Sequence, residues 1–150
     1  MRAVIQRVSN AEVEIEGVVR GSVQQGLLLL IGIEELDNLE DIDWISSKIV
    51  HLRIFADEAG LMNKSILDVN GNILLISQFT LYGQTKKGNR PSFIKAARPE
   101  VAIPLYEKLQ EMLTNKLGKK IETGIFGADM KVCLTNDGPV TIYMDTKNKE

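Results

Sequence analysis

Gly26-Leu27-Leu28-Leu29-Leu30-Ile31-Gly32-Ile33 is the stretch on which the fold turns. A half-solvated strand alternates apolar and polar positions. This run has no polar position and is bounded by glycines, so it reads as a strand covered on both faces. Upstream, Ala3–Val8 and Ala11–Glu16 alternate with period two, which predicts two strands joined at the turn pair Ser9-Asn10. Gly17 ends the second, and a short strand follows over Val18–Val23. Downstream, Leu39, Ile42, Ile45, Ile49 and Leu52 recur at helical spacing and predict a first helix over Asp37–Leu52, opened by Asp37 and Glu40 as a capping box. Arg53–Phe55 reads as a short strand, Asp57–Gly60 as a turn, and Ile73–Phe79 as a second buried strand.

The remainder completes the pattern. Gly83–Pro91 is a polar, basic loop. Pro99 opens a second helix whose apolar stripe (Val101, Leu105, Leu109, Met112, Leu113) runs to about Leu117, with Pro104 one turn in and Gly118 as C-cap. Ile121–Ile125, Met130–Leu134 and Val140–Met144 read as strands, with Asn136-Asp137-Gly138-Pro139 as a turn between the last two. Lys147–Glu150 reads as a frayed tail. Strands crowd both ends and helices are interposed. This predicts an α/β chain with mixed and antiparallel, barrel-like sheet and two main helices on one side, not a doubly wound parallel sheet.

Composition narrows the function classes. At 150 residues the chain is expected to form one domain, residues 1–150, and 44% hydrophobic with 25% charged residues excludes a disordered chain or a collagen. Cys133 is the only cysteine and His51 the only histidine, so neither an internal disulfide nor a structural zinc site is expected, and no metal or cofactor is called for. No run of about 18 apolar residues marks a membrane span, and the N-terminus does not read as a signal peptide, so the expected compartment is the cytoplasm. Net charge is −2, which excludes a globally basic nucleic-acid binder. Local charge is uneven. No Asp or Glu occurs between Val69 and Pro99, where Lys86, Lys87, Arg90, Lys95 and Arg98 lie, whereas Glu34, Glu35, Asp37, Glu40, Asp41 and Asp43 cluster after Ile33. The basic stretch is either a solvated face or an anion-binding surface for a phosphodiester backbone.

Familiar catalytic parts are missing. There is no GxGxxG, no Walker loop and no HExxH. His51 falls near a helix end and reads as a carbonyl cap; Cys133, between Val132 and Leu134, reads as a small core residue. An enzyme built from these residues must rely on backbone donors, positioning, or groups carried by the substrate. Two segments stand out. Ser77-Gln78-Phe79-Thr80 ends an otherwise apolar strand, and reads either as polar residues satisfying a turn or as a strand terminus opening into a pocket. Asn136-Asp137-Gly138-Pro139-Val140-Thr141 reads either as a plain hairpin turn or as a cis Gly-Pro corner presenting its carbonyls as a rigid acceptor pair.

Both segments resemble the signature motifs of the D-aminoacyl-tRNA deacylase family. Ile5-Gln6-Arg7-Val8, Arg90-Pro91-Ser92-Phe93 and Gly124-Ile125-Phe126-Gly127-Ala128-Asp129-Met130 match further family segments, and the similarity runs from Met1 to about Asp145. The resemblance implies hydrolysis of the ester between a D-amino acid and the 3′-terminal adenosine of tRNA, by a homodimer with active sites at the subunit interface. It places Ser77, Gln78, Phe79 and Thr80 in the catalytic pocket. It makes Gly138-Pro139 a cis corner entering the partner's pocket to reject L-amino acids while glycine passes, with Asn136, Val140 and Thr141 around it and Arg7 holding it. The substrate 2′-hydroxyl assists, and amides near Phe79 and Thr80 stabilise the oxyanion. Thr80 is read as a positioning residue, because no base is visible to activate it. Lys86, Lys87, Arg90 and Lys95 are assigned to acceptor-stem phosphates, and Phe126 and Met130 to the tRNA end, with core burial the competing reading for Phe126 and for Phe93. Two other classes stay open: a non-catalytic dimer binding tRNA ends or nucleotides, and a structural dimer whose Gly-Pro turn seals an interface.

Overall fold

A computed structural model describes residues 1–150. Strands β1 (Arg2–Ile15), β2 (Val18–Val23) and β3 (Gly26–Gly32) lead into helix α1 (Leu39–His51). The short strands β4 (Phe55–Ala56) and β5 (Met62–Lys64) pair with each other as a separate hairpin. Strand β6 (Asn72–Ser77), a 3-10 turn (Phe79–Tyr82), helix α2 (Pro99–Leu117), β7 (Glu122–Thr123) and β8 (Lys131–Asp145) complete the chain. The main sheet runs β2-β1-β3-β6-β7, with β8 on the other side of β1, antiparallel around β1 and parallel across β3-β6-β7. It curls until β2 approaches β6 and β7. A Cβ on Gly21 of β2 would sit 3.0 Å from the Thr123 carbonyl oxygen, a tight contact that glycine avoids at this seam.

Strand β3 explains the unbroken apolar run. Leu27, Leu29 and Ile31 face the helix layer, where they join Ile42, Ile45 and Ile49 of α1 and Leu109 and Leu113 of α2. Leu28 faces the barrel interior with Val8, Val13, Val23, Leu74 and Ile76. Each alternate residue of β3 thus belongs to a different apolar cluster, and both faces are dry. The barrel with its two helices on one side matches the predicted architecture. No helix is long and apolar enough to cross a membrane.

Several local expectations change. Strand β1 does not turn back at Ser9-Asn10 but changes neighbour there: Arg2–Val8 pair with β3, and Ala11–Ile15 with β2. The turn-forming pair serves a bend in one continuous strand. Likewise β8 is one strand, not two joined by a hairpin at Asn136–Pro139. Both of its halves pair antiparallel with the same strand, β1, so the chain has no reason to reverse. Helix α1 begins later than expected: Asn38 is its N-cap, accepting from the Glu40 amide, and the box partner is Asp41, not Glu40. Asp37 instead holds the Met1 ammonium in a buried ion pair. Helix α2 runs unbroken past Pro104 to a left-handed Gly118 cap. The strand expected over Ile121–Ile125 shrinks to Glu122–Thr123, the part that pairs with Leu74 and Leu75 of β6. Cys133 is exposed, not part of the core. In the segment read as a frayed tail, Lys147 Nζ reaches Asp41 at 2.7 Å.

Gly26 starts β3 beside Asn72 of β6, and a Cβ there would lie 1.8 Å from the Asn72 carbonyl oxygen. Backbone cannot yield as a side-chain tip does. Gly26→Ala is expected to destabilise the fold by about 3 kcal/mol, in the upper range for an overfilled core, measured by urea denaturation. An unchanged midpoint would contradict this packing.

Candidate active site

Strand β6 ends at Ser77, and Gln78 continues the ladder once more, its amide donating to the Ile31 carbonyl at 2.7 Å. The chain then tightens into the 3-10 turn Phe79–Tyr82. Arg2 braces this turn, donating to the Leu81 carbonyl at 3.0 Å and stacking over the Tyr82 ring at 4.5 Å. The Phe79 and Thr80 amides open the turn, the end at which backbone donors lack intrahelical partners. Gln78 donates its side-chain amide to Thr80 Oγ1 at 2.5 Å. Phe79 is 56% exposed and meets Phe93 edge-on at 5.1 Å between centroids.

A cleft of about 600 Å³ opens at this strand end. Ser77, Gln78 and Phe79 form one wall; Ile31, Ile33 and Ile76 contribute apolar surface; Phe126 and Met130 close the far side, and the start of α2 adds Arg98, Pro99 and Ala102. Thr80 itself does not line it. Phe126 lines the cleft and also packs edge-on against Tyr106 at 5.6 Å, half-buried against the main apolar cluster. Tyr106 is fixed as a donor to the Leu75 carbonyl at 2.9 Å, and burial pushes its phenol well above the ordinary range. Arg98 and Asp129 are the only ionisable side chains in the lining, and Asp129 is paired with Lys131 at 2.8 Å. The lining holds no histidine, and its one carboxylate is exposed and tied to Lys131. His51 lies away on α1, its Nδ1 at 2.8 Å from the Ser47 carbonyl oxygen, as its capping role predicts.

The second motif forms a corner on the surface. In the β1–β8 ladder Gln6 faces Thr141 and Val8 faces Asn136, so Asp137–Val140 stand opposite Arg7 alone and are pushed out as a bulge. The Gly138–Pro139 bond is cis, and both residues are exposed. Asn136 brackets the bulge: its Oδ1 accepts from the Val140 amide at 3.0 Å, and its Nδ2 donates to Thr141 Oγ1 at 3.0 Å. Arg7 fills the gap from the other strand. Its Nε donates to the Asp137 carbonyl at 3.0 Å and its Nη1 to the Ile54 carbonyl at 2.5 Å, while the Asp137 carboxylate lies 3.4 Å from Nε. Gly138 has φ +132°, and a Cβ there would lie 2.9 Å from both Arg7 Nη2 and Val140 Cγ2. This is glycine's conformational territory.

The structure therefore gathers Ser77, Gln78, Phe79, Phe126 and Met130 at one cleft and Arg7, Asn136, Gly138, Pro139, Val140 and Thr141 at one corner. Within a single chain the corner does not line the cleft. Lys86, Lys87, Arg90 and Lys95 are exposed and also lie outside the lining. Sequence reasoning missed the wall supplied by Ile31 and Ile33, because continuous burial hides which strand end meets a cavity. It also left Arg98 out of the site, although its place just before Pro99 marks it as the helix N-cap.

This barrel with two flanking helices superposes on solved structures over nearly its whole length. A structure described as a probable eukaryotic D-amino acid tRNA deacylase superposes with TM-score 0.81 at 16% identity, over 95% of this chain and 97% of that one, a likeness of fold. The c-Myc DNA unwinding element binding protein superposes with TM-score 0.92 at 39% identity, over 97% and 98%. The family model for D-Tyr-tRNA(Tyr) deacylase matches residues 4–145. The D-aminoacyl-tRNA deacylases of Bacteroides thetaiotaomicron and Flavobacterium johnsoniae are 65% and 60% identical over 150 residues, covering all of each chain. The chain belongs to the D-Tyr-tRNA(Tyr) deacylase family.

The Asn136 bracket has a direct test. Asn136→Ala removes the acceptor of the Val140 amide, so hydrogen exchange at Val140 is expected to accelerate at least tenfold with a stability loss of about 1 kcal/mol. Unchanged protection at Val140 would show that the bulge is held by something else.

Proposed function

We propose that this chain is an editing hydrolase that cleaves the ester of D-aminoacyl-tRNA, and of mischarged glycyl-tRNA, while sparing L-aminoacyl-tRNA. The observation that carries this reading is the identity of 65% to the Bacteroides deacylase across the whole of both chains. The site chemistry is compatible with it. An aminoacyl ester is an activated bond beside a ribose hydroxyl, so its hydrolysis asks little of side chains, and the cleft's one carboxylate is already paired with Lys131. Water adds its oxygen to the carbonyl carbon, and the resulting oxyanion takes hydrogen bonds from amides near Phe79 and Thr80, each such donor being worth about 3–4 kcal/mol. The bond from carbon to the ribose 3′-oxygen then breaks. That oxygen takes a proton, relayed by the neighbouring 2′-hydroxyl, and D-amino acid and tRNA leave. Ser77 and Gln78 shape the wall. Thr80, held by Gln78, positions the turn and forms no acyl intermediate.

Chirality is read by exclusion. In this reading the Gly138-Pro139 corner of a second copy enters the cleft, and its carbonyls occupy the space an L side chain needs. A D side chain points away, and glycine has none. The exposed corner, which does not line its own chain's cleft, supports a homodimer. A main-chain obstacle suits a site that must accept many side chains, because no rotamer change removes it. Arg7 and Asn136 hold the corner, with Val140 and Thr141 as its far anchor. Lys86, Lys87, Arg90 and Lys95 meet acceptor-stem phosphates, and Phe126 and Met130 contact the terminal nucleotide.

Matched D- and L-aminoacyl-tRNA are expected to separate the readings: free D-amino acid is released and the L-ester persists. Binding of both without cleavage would instead define a tRNA-end binding protein. Gly138→Ala is expected to lower D-ester turnover at least tenfold in protein whose circular dichroism is unchanged; full-rate turnover would remove Gly138 from the site. Replacing Lys86, Lys87, Arg90 and Lys95 with Ala should weaken tRNA binding and flatten its salt dependence by about 0.7–0.9 per lost phosphate contact. An unchanged slope would clear those four of any phosphate role.

A further inference from the structure

The cleft holds one unpaired charge, and it is not in the basic loop. Arg98 lines the cleft between Ala97 and Pro99, in one lining with Phe126 and Met130. Its side chain is exposed, makes no capping bond to α2, and joins none of the salt bridges of the chain. Glu35 is the nearest carboxylate known to touch the residue, and it is occupied by the Arg98 main-chain amide at 2.9 Å. Asp129, the other charged lining residue, already has Lys131. The rest of the lining is apolar or neutral, so Arg98 is the one cation of the lining, and no carboxylate is within salt-bridge reach of its guanidinium.

Resting on the deacylase reading, we propose that Arg98 is a substrate-positioning residue that binds the phosphate on the 5′ side of the terminal adenosine. This is the anion nearest the scissile ester, separated from it by one ribose. A planar guanidinium offers paired donors to phosphate oxygens. In a cleft otherwise free of net charge, such a contact fixes the register of the nucleotide and so the place of the ester against Ser77–Phe79.

Two small esters give the test: 3′-D-aminoacyl-adenosine, and the same compound carrying a 5′-phosphate. The native chain is expected to favour the phosphorylated ester about tenfold in kcat/KM, the worth of one charge-assisted contact. Arg98→Gln should bring that ratio close to one, and Arg98→Lys should restore part of it. On full-length D-aminoacyl-tRNA, Arg98→Gln should raise KM and lower kcat, as expected for a group that both binds and positions, and reduce the slope of log kcat/KM against log salt by about 0.7. A phosphate preference that survives Arg98→Gln, or a native ratio of one, overturns the assignment. Failure of the native chain to hydrolyse any D-ester, tRNA included, would reject the deacylase reading itself, a distinct result.

Discussion

The ladder between β1 and β8 is the constraint on which the site depends. Two long strands are paired along nearly their whole length, from Arg2 with Asp145 to Glu14 with Lys131. Both also bend at the same level, because β1 must leave β3 and join β2. A bend of this size is absorbed by surplus residues on one strand, and the surplus falls on Asp137–Val140. What would be a defect in a flat sheet becomes a projecting corner of fixed shape. Arg7 is the counterpart of that surplus: standing alone opposite it, the side chain has room to turn inward and satisfy the carbonyls of Asp137 and Ile54 together. The corner is therefore tied both to the barrel and to the segment leaving α1.

The same bend explains what could and could not be read from the sequence. Gly26–Ile33 announced a doubly covered strand because burial on both faces removes polar residues altogether, and the structure distributes those leucines between two apolar clusters. The helices were legible from their stripes and from Gly118. Ser9-Asn10, and the hairpin reading of Asn136–Pro139, misled because turn-forming residues are needed equally where a chain reverses and where a continuous strand kinks; the cis-corner reading of the second segment is the one the chain adopts. Local sequence carries the kink but not the partner strand, and only the shared pairing with β1 distinguishes the two outcomes. Cys133 misled for a related reason: on a strand that covers the barrel with one face only, a small apolar residue can as well point outward.

Site residues divide along the same line. Ser77–Phe79 were legible because polar residues after Ile73–Ile76 mark where a buried strand ends, and strand ends are where clefts form. Arg98 was hidden among other basic residues. Charge density along the sequence does not say which cation faces the cavity; the start of α2 does. The loop lysines dominate a count of charges, yet they lie outside the cleft, whereas a single arginine lies within it.

A cleft whose one carboxylate is already paired and a corner without side-chain chemistry suggest one economy of design. Side chains that act as bases, or that grip a particular amino acid, narrow the range of esters a site accepts. Main-chain amides and carbonyls carry no such preference, and their positions are set by the sheet rather than by rotamers. An enzyme that must discriminate by handedness alone, over many side chains, is served best by groups the fold cannot move. On the proposed reading, the features that make this chain look poor in catalytic residues are the ones its task requires: activation is left to the substrate ester and its 2′-hydroxyl, orientation to a cleft with one unpaired cation, and selection to a corner that glycine alone can form at φ +132°.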